Sequence, residues 1–175
     1  APSALALSPD NTRLYVANTG SGTVSVIDTT TYVRVDANPS VLSMDIRVGI
    51  APSALAFGSD GRLYVANRAG KSVSVIDTTT NSLVDTNPNA RGVQSISVGS
   101  SPSALAAGPD GRVYVANRGS NSVSVINTTN FSVTKTVAVG KQPSSVALGA
   151  DGKLFVVNQG SNTVSVIDTA TDTVV

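Results

Sequence analysis

Apolar and polar positions alternate along this chain in short runs, and each run stops at Gly, Pro, Asn or Asp. In the third of four similar stretches the runs are Ser103 to Ala107, Val113 to Asn117, Ser122 to Ile126 and Phe131 to Val139. Period-two alternation bounded by turn residues predicts β-strands. Pro109-Asp110-Gly111-Arg112, between the first two runs, places Asp-Gly at the centre of a tight turn. Arg118 to Asn121 is a Gly/Ser-rich loop, Asn127-Thr128-Thr129-Asn130 turns the chain again, and the fourth run ends at Gly140. Four antiparallel strands joined by short turns make a meander.

The alternation also says how such meanders pack. Val113 and Val115 share one face and Tyr114 and Ala116 the other, while Val123 and Val125 lie opposite Ser124 and Ile126. Neither face is frankly polar, so each sheet is expected to be covered on both sides. The first strand carries small residues at alternate positions (Ala4 and Ala6, Ala54 and Ala56, Ala104 and Ala106), which suits the most crowded place near a central axis. Small sheets packed face to face around an axis form a β-propeller. The phrase recurs from Pro2, Pro52, Pro102 and Pro143, and self-similarity at this length marks supersecondary units that bury their faces on one another. The expectation is all-β: about four four-stranded antiparallel blades, near residues 1–49, 50–99, 100–140 and 141–175, arranged as an open arc or half-ring.

Two irregularities stand out. The Pro-to-Pro distance is 50 residues for the first two copies and 41 for the third. The surplus falls around Asp36-Ala37-Asn38-Pro39 and Asp85-Thr86-Asn87-Pro88, where Asn-Pro signals a turn and Pro cannot donate to a ladder. Loops bulging from the outermost strand are expected there, as surface insertions or as a device on the rim. In the last copy Val174 aligns with Val133, so Lys135 to Gly140 have no counterpart. An open arc would leave the outward faces of its first and last blades bare. The expected partner is a second copy related by a two-fold axis, or further blades of a longer chain.

Tyr15-Val16-Ala17-Asn18, Tyr64-Val65-Ala66-Asn67, Tyr114-Val115-Ala116-Asn117 and Phe155-Val156-Val157-Asn158 resemble the Tyr-Val-Thr-Asn motif of YVTN-type β-propeller repeats. The downstream Val-Ser-Val-Ile-Asp-Thr and the Val-Gly before Pro-Ser are similar to that family too. The resemblance implies the propeller fold, rings of more than four blades, and bacterial or archaeal surface and exported proteins, hence an extracytoplasmic location. It implies no single activity.

Composition narrows the chemistry. All 11 acidic residues are Asp, and the chain has no His, Cys, Glu or Trp. A Ser-His-Asp triad, a His-ligated metal, a Cys nucleophile and a paired-Glu acid/base site are therefore excluded within these residues. A net charge of +1 with 13% charged residues gives no pull toward nucleic acid or acidic lipid, and no apolar stretch is long enough for a membrane span. The chain begins Ala1-Pro2-Ser3 without Met, as a processed product or an excised fragment would.

Asp10, Asp60, Asp110 and Asp151 recur in every copy, and Asp28, Asp77 and Asp168 in three, with Asn127 breaking that series. Turn formation accounts for both sets, since no Asp-x-Asp-x-Asp-Gly loop for calcium occurs. Asn18, Asn67, Asn117 and Asn158 are assigned to local backbone bonding. Ala69-Gly70-Lys71-Ser72 resembles the end of a phosphate-binding loop, but Val65 stands where its first glycine belongs.

What varies between copies is more telling. The loops after the Tyr-Val-Ala-Asn motif read Thr19-Gly20-Ser21-Gly22, Arg68-Ala69-Gly70-Lys71, Arg118-Gly119-Ser120-Asn121 and Gln159-Gly160-Ser161-Asn162. In a propeller they share a face with the connections between blades. Arg68, Lys71, Arg118, Lys141 and Gln159 thus form a candidate surface for an anionic ligand or a protein partner, while the Asp turns lie on the opposite, mildly acidic face. No catalytic, cofactor-binding or metal-ligating residue is expected. The functional expectation is a non-enzymatic scaffold for binding or assembly; the alternative is a fragment of a propeller enzyme whose catalytic residues lie outside this chain.

Overall fold

The computed structural model describes residues 1–36, 44–86 and 94–175. The described residues form strands and turns only, in four antiparallel sheets. The first blade holds β1 (Pro2–Leu7), β2 (Arg13–Asn18), β3 (Thr23–Asp28), β4 (Arg34–Val35) and β5 (Asp45–Arg47). The second holds β6 (Pro52–Phe57), β7 (Leu63–Asn67), β8 (Ser72–Asp77), β9 (Ser82–Leu83) and β10 (Ile96–Ser97). The third is β11 (Pro102–Ala107), β12 (Arg112–Asn117), β13 (Ser122–Asn127) and β14 (Ser132–Ala138). The fourth is β15 (Pro143–Leu148), β16 (Lys153–Asn158), β17 (Thr163–Asp168) and β18 (Thr173–Val174).

Each blade is a meander, as the alternation predicts. The third pairs β11 to β12, β12 to β13 and β13 to β14. Its outer strand carries a bulge, because Val125 pairs with Lys135 and Ile126 with Val133, leaving Thr134 unpaired. In the first blade the outer strand is two pieces that meet β3 on either side of the same point: Ser25 pairs with Asp45 and Val26 with Val35. The longer copies therefore insert their extra residues where the short copy carries a bulge. The predicted loops at Asp36-Ala37-Asn38-Pro39 and Asp85-Thr86-Asn87-Pro88 fall largely on 37–43 and 87–93, outside the described residues.

Blades stack through three apolar clusters. Tyr15, Val24, Val26 and Ile46 of the first blade meet Leu63, Val65 and Ile76 of the second. Tyr64, Val73, Val75 and Ile96 meet Val113, Val115 and Ile126, and Tyr114, Val123, Val125 and Val137 meet Leu154, Val156 and Ile167. Both faces of the two middle blades are thus buried, and water exclusion over these sheets supplies most of the driving force.

The first strands of neighbouring blades lie against one another, as their small residues imply. A second bulge recurs there: β1 shifts register between Pro2 and Ala4, and β6, β11 and β15 do the same. The bulged serine turns toward the next blade. Ser3 Oγ donates to the Pro52 carbonyl at 2.9 Å, Ser53 Oγ to that of Pro102 at 3.0 Å and Ser103 Oγ to that of Pro143 at 2.9 Å.

Candidate functional site

The loops after each second strand are stitched to the connections between blades. Arg68 N–H donates to the Ala51 carbonyl at 2.9 Å, Arg118 N–H to that of Ser101 at 3.0 Å and Gln159 N–H to that of Gln142 at 3.1 Å. Variable side chains are thereby fixed on one end of the array. Arg118 Nη2 donates to Gln142 Oε1 at 3.0 Å and to Gln159 Oε1 at 3.3 Å. Arg118 and Gln159, singled out from sequence, are in contact; Gln142, not singled out, completes the group. Its signal was its place in the inter-blade connection beside Lys141.

Arg68 and Lys71 sit on the loop that meets the connection between the first two blades, apart from the Arg118 group. Near them a groove of about 240 Å³ runs between Thr19–Gly22 and Gly49–Ala51, with Arg47 on its wall. Arg47 also went unnoticed, because it belongs to an outer strand whose alternation reads simply as exposed. Among the described residues Arg68, Lys71, Arg118 and Lys141 form no ion pair. Lys71 occupies left-handed backbone at φ 51°, where the equivalent residues are Gly22, Asn121 and Asn162.

The opposite face is built differently. There every cation equivalent to Arg13 is paired: Arg13 with Asp28 at 2.5 Å, Arg62 with Asp60 at 3.0 Å, Arg112 with Asp110 and Asp172, and Lys153 with Asp168 at 2.5 Å. The carboxylates also close turns. Asp10 Oδ1 accepts from Ser8 Oγ at 2.6 Å and Thr12 N–H at 3.1 Å; Asp28 Oδ1 accepts from the N–H groups of Thr30 and Thr31, both at 2.9 Å. Asn127 Oδ1 does the same for Thr129 N–H at 2.8 Å, so amide and carboxylate are interchangeable there.

Such bonds stabilise the ionised form. The Ser8 hydroxyl holds the Asp10 carboxyl below its ordinary value, as do the Thr31 amide for Asp28, the Thr79 hydroxyl for Asp77 and the Lys153 ammonium for Asp168. The turn aspartates are therefore structural. Among the described residues no three potential ligands converge on a metal position. Among the described residues, the loop-face cations Arg68, Lys71, Arg118 and Lys141 are thus unpaired, whereas Arg13, Arg62, Arg112 and Lys153 on the turn face are neutralised.

The strand-ending asparagines differ from expectation. Rather than bonding local backbone, Asn117 Nδ2 donates across the hairpin to Ser122 Oγ at 3.3 Å and Ser124 Oγ at 2.9 Å, and Asn67 bonds Ser72 and Ser74 likewise. The side chain points into the sheet stack because a glycine faces it; a Cβ on Gly99 would stand 2.7 Å from Asn117 Cγ. Among the described residues, the buried Oδ1 atoms of Asn67, Asn117 and Asn158 have no donor.

Comparison with known proteins places this architecture. The family model described as "Lactonase, 7-bladed beta-propeller" matches residues 4–174. No curated protein matches significantly. Among solved structures, hydrazine synthase from Kuenenia stuttgartiensis is similar with TM-score 0.84 and 28% identity, over 99% of this chain and 47% of that one. A catalytically inactive virginiamycin B lyase from Staphylococcus aureus, solved with quinupristin, has TM-score 0.74 and 16% identity over 99% of this chain and 54% of its own. The dihydro-heme d1 dehydrogenase NirN, solved with DHE, has TM-score 0.71 and 21% identity over 100% of this chain and 35% of its own. At such identities the last two show the fold alone. The chain spans about half the length, or less, of these structures.

These findings correct the expectation of a non-enzymatic scaffold. The matching family is one of lactonases, and the similar structures named are enzymes. The missing His, Cys and Glu exclude particular catalytic devices from these 175 residues, not an enzyme built partly from them. The chain belongs to the lactonase family of seven-bladed β-propellers.

Proposed function

We propose that this chain is the blade array of a propeller enzyme acting on a cyclic ester, and that the groups breaking the ester bond lie outside these 175 residues. The observation carrying the reading is the lactonase family match over residues 4–174. Opening a lactone adds water across the acyl C–O bond and yields a hydroxyl and a carboxylate. The step needs a base to take the water proton and donors for the developing oxyanion. With no His, Cys or Glu in the sequence and the described turn aspartates committed to turns and ion pairs, the array is short of a base. It does offer donors.

Arg118 is held through one nitrogen by Gln142 and Gln159, which orients the guanidinium and leaves its other N–H groups for a carboxylate. The array's role in this reading is to wall the site and hold the anionic end of substrate or product at the loop face. The Tyr-Val-Ala-Asn motif supports a finer placement among YVTN-type propellers and an extracytoplasmic location.

Calorimetric titration with 5-hydroxyvalerate, the opened form of δ-valerolactone, tests the loop face. Arg118→Ser should weaken binding about tenfold, the worth of one charge-assisted hydrogen bond of ~1.5 kcal/mol. Unchanged affinity, or none in either protein, would dispose of that face. In a pH-stat the chain alone should open δ-valerolactone no faster than buffer; turnover by these residues alone would refute the external placement of the catalytic groups.

A further inference from the structure

The three connections between blades share one backbone turn. Gly49-Ile50-Ala51, Gly99-Ser100-Ser101 and Gly140-Lys141-Gln142 each end in left-handed backbone, at φ 56° for Ala51, 52° for Ser101 and 52° for Gln142. Successive N–H groups at such a turn make a concavity that takes oxygen acceptors. Between the third and fourth blades the chain fills both amides itself: Lys141 N–H donates to Ser161 Oγ at 3.0 Å and Gln142 N–H to Asn121 Oδ1 at 2.8 Å. Between the second and third, Ser100 N–H donates to Ser120 Oγ at 2.6 Å, while Lys71 stands in the place of Asn121.

Between the first and second blades both acceptors are gone. Gly70 stands where the later loops carry Ser120 and Ser161, and Gly22 where the third carries Asn121. Among the described residues neither Ile50 N–H nor Ala51 N–H has an acceptor. The lost side chains would fit. A Cβ on Gly70 would lie 3.4 Å from Ile50 N, and Gly22 already holds, at φ 66°, the left-handed backbone that Asn121 holds at 53°. Without them Gly22, Ile50 and Ala51 line the groove of about 240 Å³. A third change accompanies these two. Arg47 pairs with Thr23 on the outer strand, where the later blades pair Ser97 with Ser72 and Ala138 with Ser122. The cation of this series therefore lies on the wall of the groove whose acceptors are missing, and among the described residues it forms no ion pair.

We propose that this groove binds a small oxyanion, whose oxygens accept from the Ile50 and Ala51 amides and whose charge faces Arg47. The chain's own connections state the chemistry required, since the equivalent amides are filled by oxygens at distances between 2.6 and 3.0 Å. An ionised acceptor makes the stronger bond to an N–H group, and a guanidinium on the wall selects it over a neutral one. Carboxylate and tetrahedral anions share these acceptors. The groove lies between the first two blades, apart from the Arg118 group, and the inference does not rest on the enzymatic reading.

Proton–nitrogen amide spectra read the site directly, titrated with sodium acetate and separately with sodium sulfate, against sodium chloride at matched ionic strength. At least one of the two oxyanions should shift the Ile50 and Ala51 amides to saturation; the tighter of them tells whether a planar or a tetrahedral group is taken. Gly22→Asn combined with Gly70→Ser rebuilds the acceptors of the other connections, and should abolish that saturation with circular dichroism unchanged. Arg47→Ala copies Ala138 at an exposed position and should weaken binding about tenfold; it carries the test alone should the double variant misfold. No saturable shift with either oxyanion, equal shifts with chloride, shifts spread evenly over Arg68, Arg118 and Lys141, or full affinity in a folded variant would each overturn the site.

Discussion

Substituting Gly99 by Ala isolates the contact that positions the most regular polar feature of the fold. Gly99 has no left-handed backbone requirement, so the added methyl is opposed by its surroundings alone. Its Cβ would lie 2.7 Å from Asn117 Cγ and 2.8 Å from both Cβ and Nδ2, closer than real Cβ atoms come. Asn117 is fully buried and cannot swing into solvent without giving up its bonds to Ser122 and Ser124. Two such bonds are worth about 0.5–1.5 kcal/mol each, and overpacking adds about 1–3 kcal/mol. A loss of about 2–6 kcal/mol is expected. With a urea m-value of about 2 kcal/mol/M, the unfolding midpoint should fall by about 1–3 M.

The cause is separable from the size. Asn117→Ala removes the obstructing side chain, and its own cost is tempered because Oδ1 has no protein donor to lose. In that background the Gly99 methyl enters vacated space, so the second substitution should cost under about 1 kcal/mol. The cycle should therefore show a coupling of about 1–5 kcal/mol that offsets the sum of the single effects. Additive single effects, or a Gly99→Ala variant within ~0.5 kcal/mol of wild type, would refute the argument that asparagine and glycine are fitted to each other.

Two further outcomes follow. Lys71→Gly relieves a β-carbon held in left-handed backbone, a penalty of about 1 kcal/mol, and the melting temperature should rise by about 2–4 °C; a fall would show that Lys71 is held by contacts worth more than its strain. The depressed carboxyls of Asp10, Asp28, Asp77 and Asp168 contribute stability that is full above the ordinary value of 3.8 and is lost as pH falls through their lower folded values. Burial pushes the Tyr114 phenol up to about 12, so stability should also decline between pH 10 and about 12, as unfolded tyrosine ionises first. Thermal melts across pH, with phenolate absorbance on the alkaline side, check both limbs; a flat profile at either end would contradict its limb.

The blades were legible because alternation and turn chemistry are local. Val113 to Asn117 and Ser122 to Ile126 alternate cleanly, and strands occupy those positions with boundaries shifted by a residue at most. The burial of both faces was legible for the same reason. Contacts whose partners lie in another copy were not. The Asn117 side chain is a neutral amide at a strand end until Gly99, eighteen positions earlier, is seen to face it. Gln142 enters the Arg118 group only because the connection carrying it folds back on the loop of the fourth blade. Enzymatic kinship was hidden for a different reason: composition reports the groups present in 175 residues, while a propeller site draws on the whole ring.

Near-identical blades raise a problem of order, since every apolar face of one kind fits every face of the other. Tyr15, Tyr64 and Tyr114 occupy equivalent places, as do Leu63, Val113 and Leu154, so apolar burial alone would tolerate blades docked out of sequence. The contacts at the left-handed turn position break that degeneracy. Tyr15 meets an amide, Arg62 an aromatic ring and Arg112 a carboxylate. Docking the third blade where the second belongs would set Phe131 against the Tyr15 hydroxyl, which would then lose its acceptor. Setting Asp172 against Arg62 instead would draw the guanidinium from its ring and from Asp60. The native junctions satisfy these groups, and the two shuffled ones just described leave one short, which is costly where the neighbouring surface is already dry. The repeat thus holds the blades together, and the residues departing from it set their sequence.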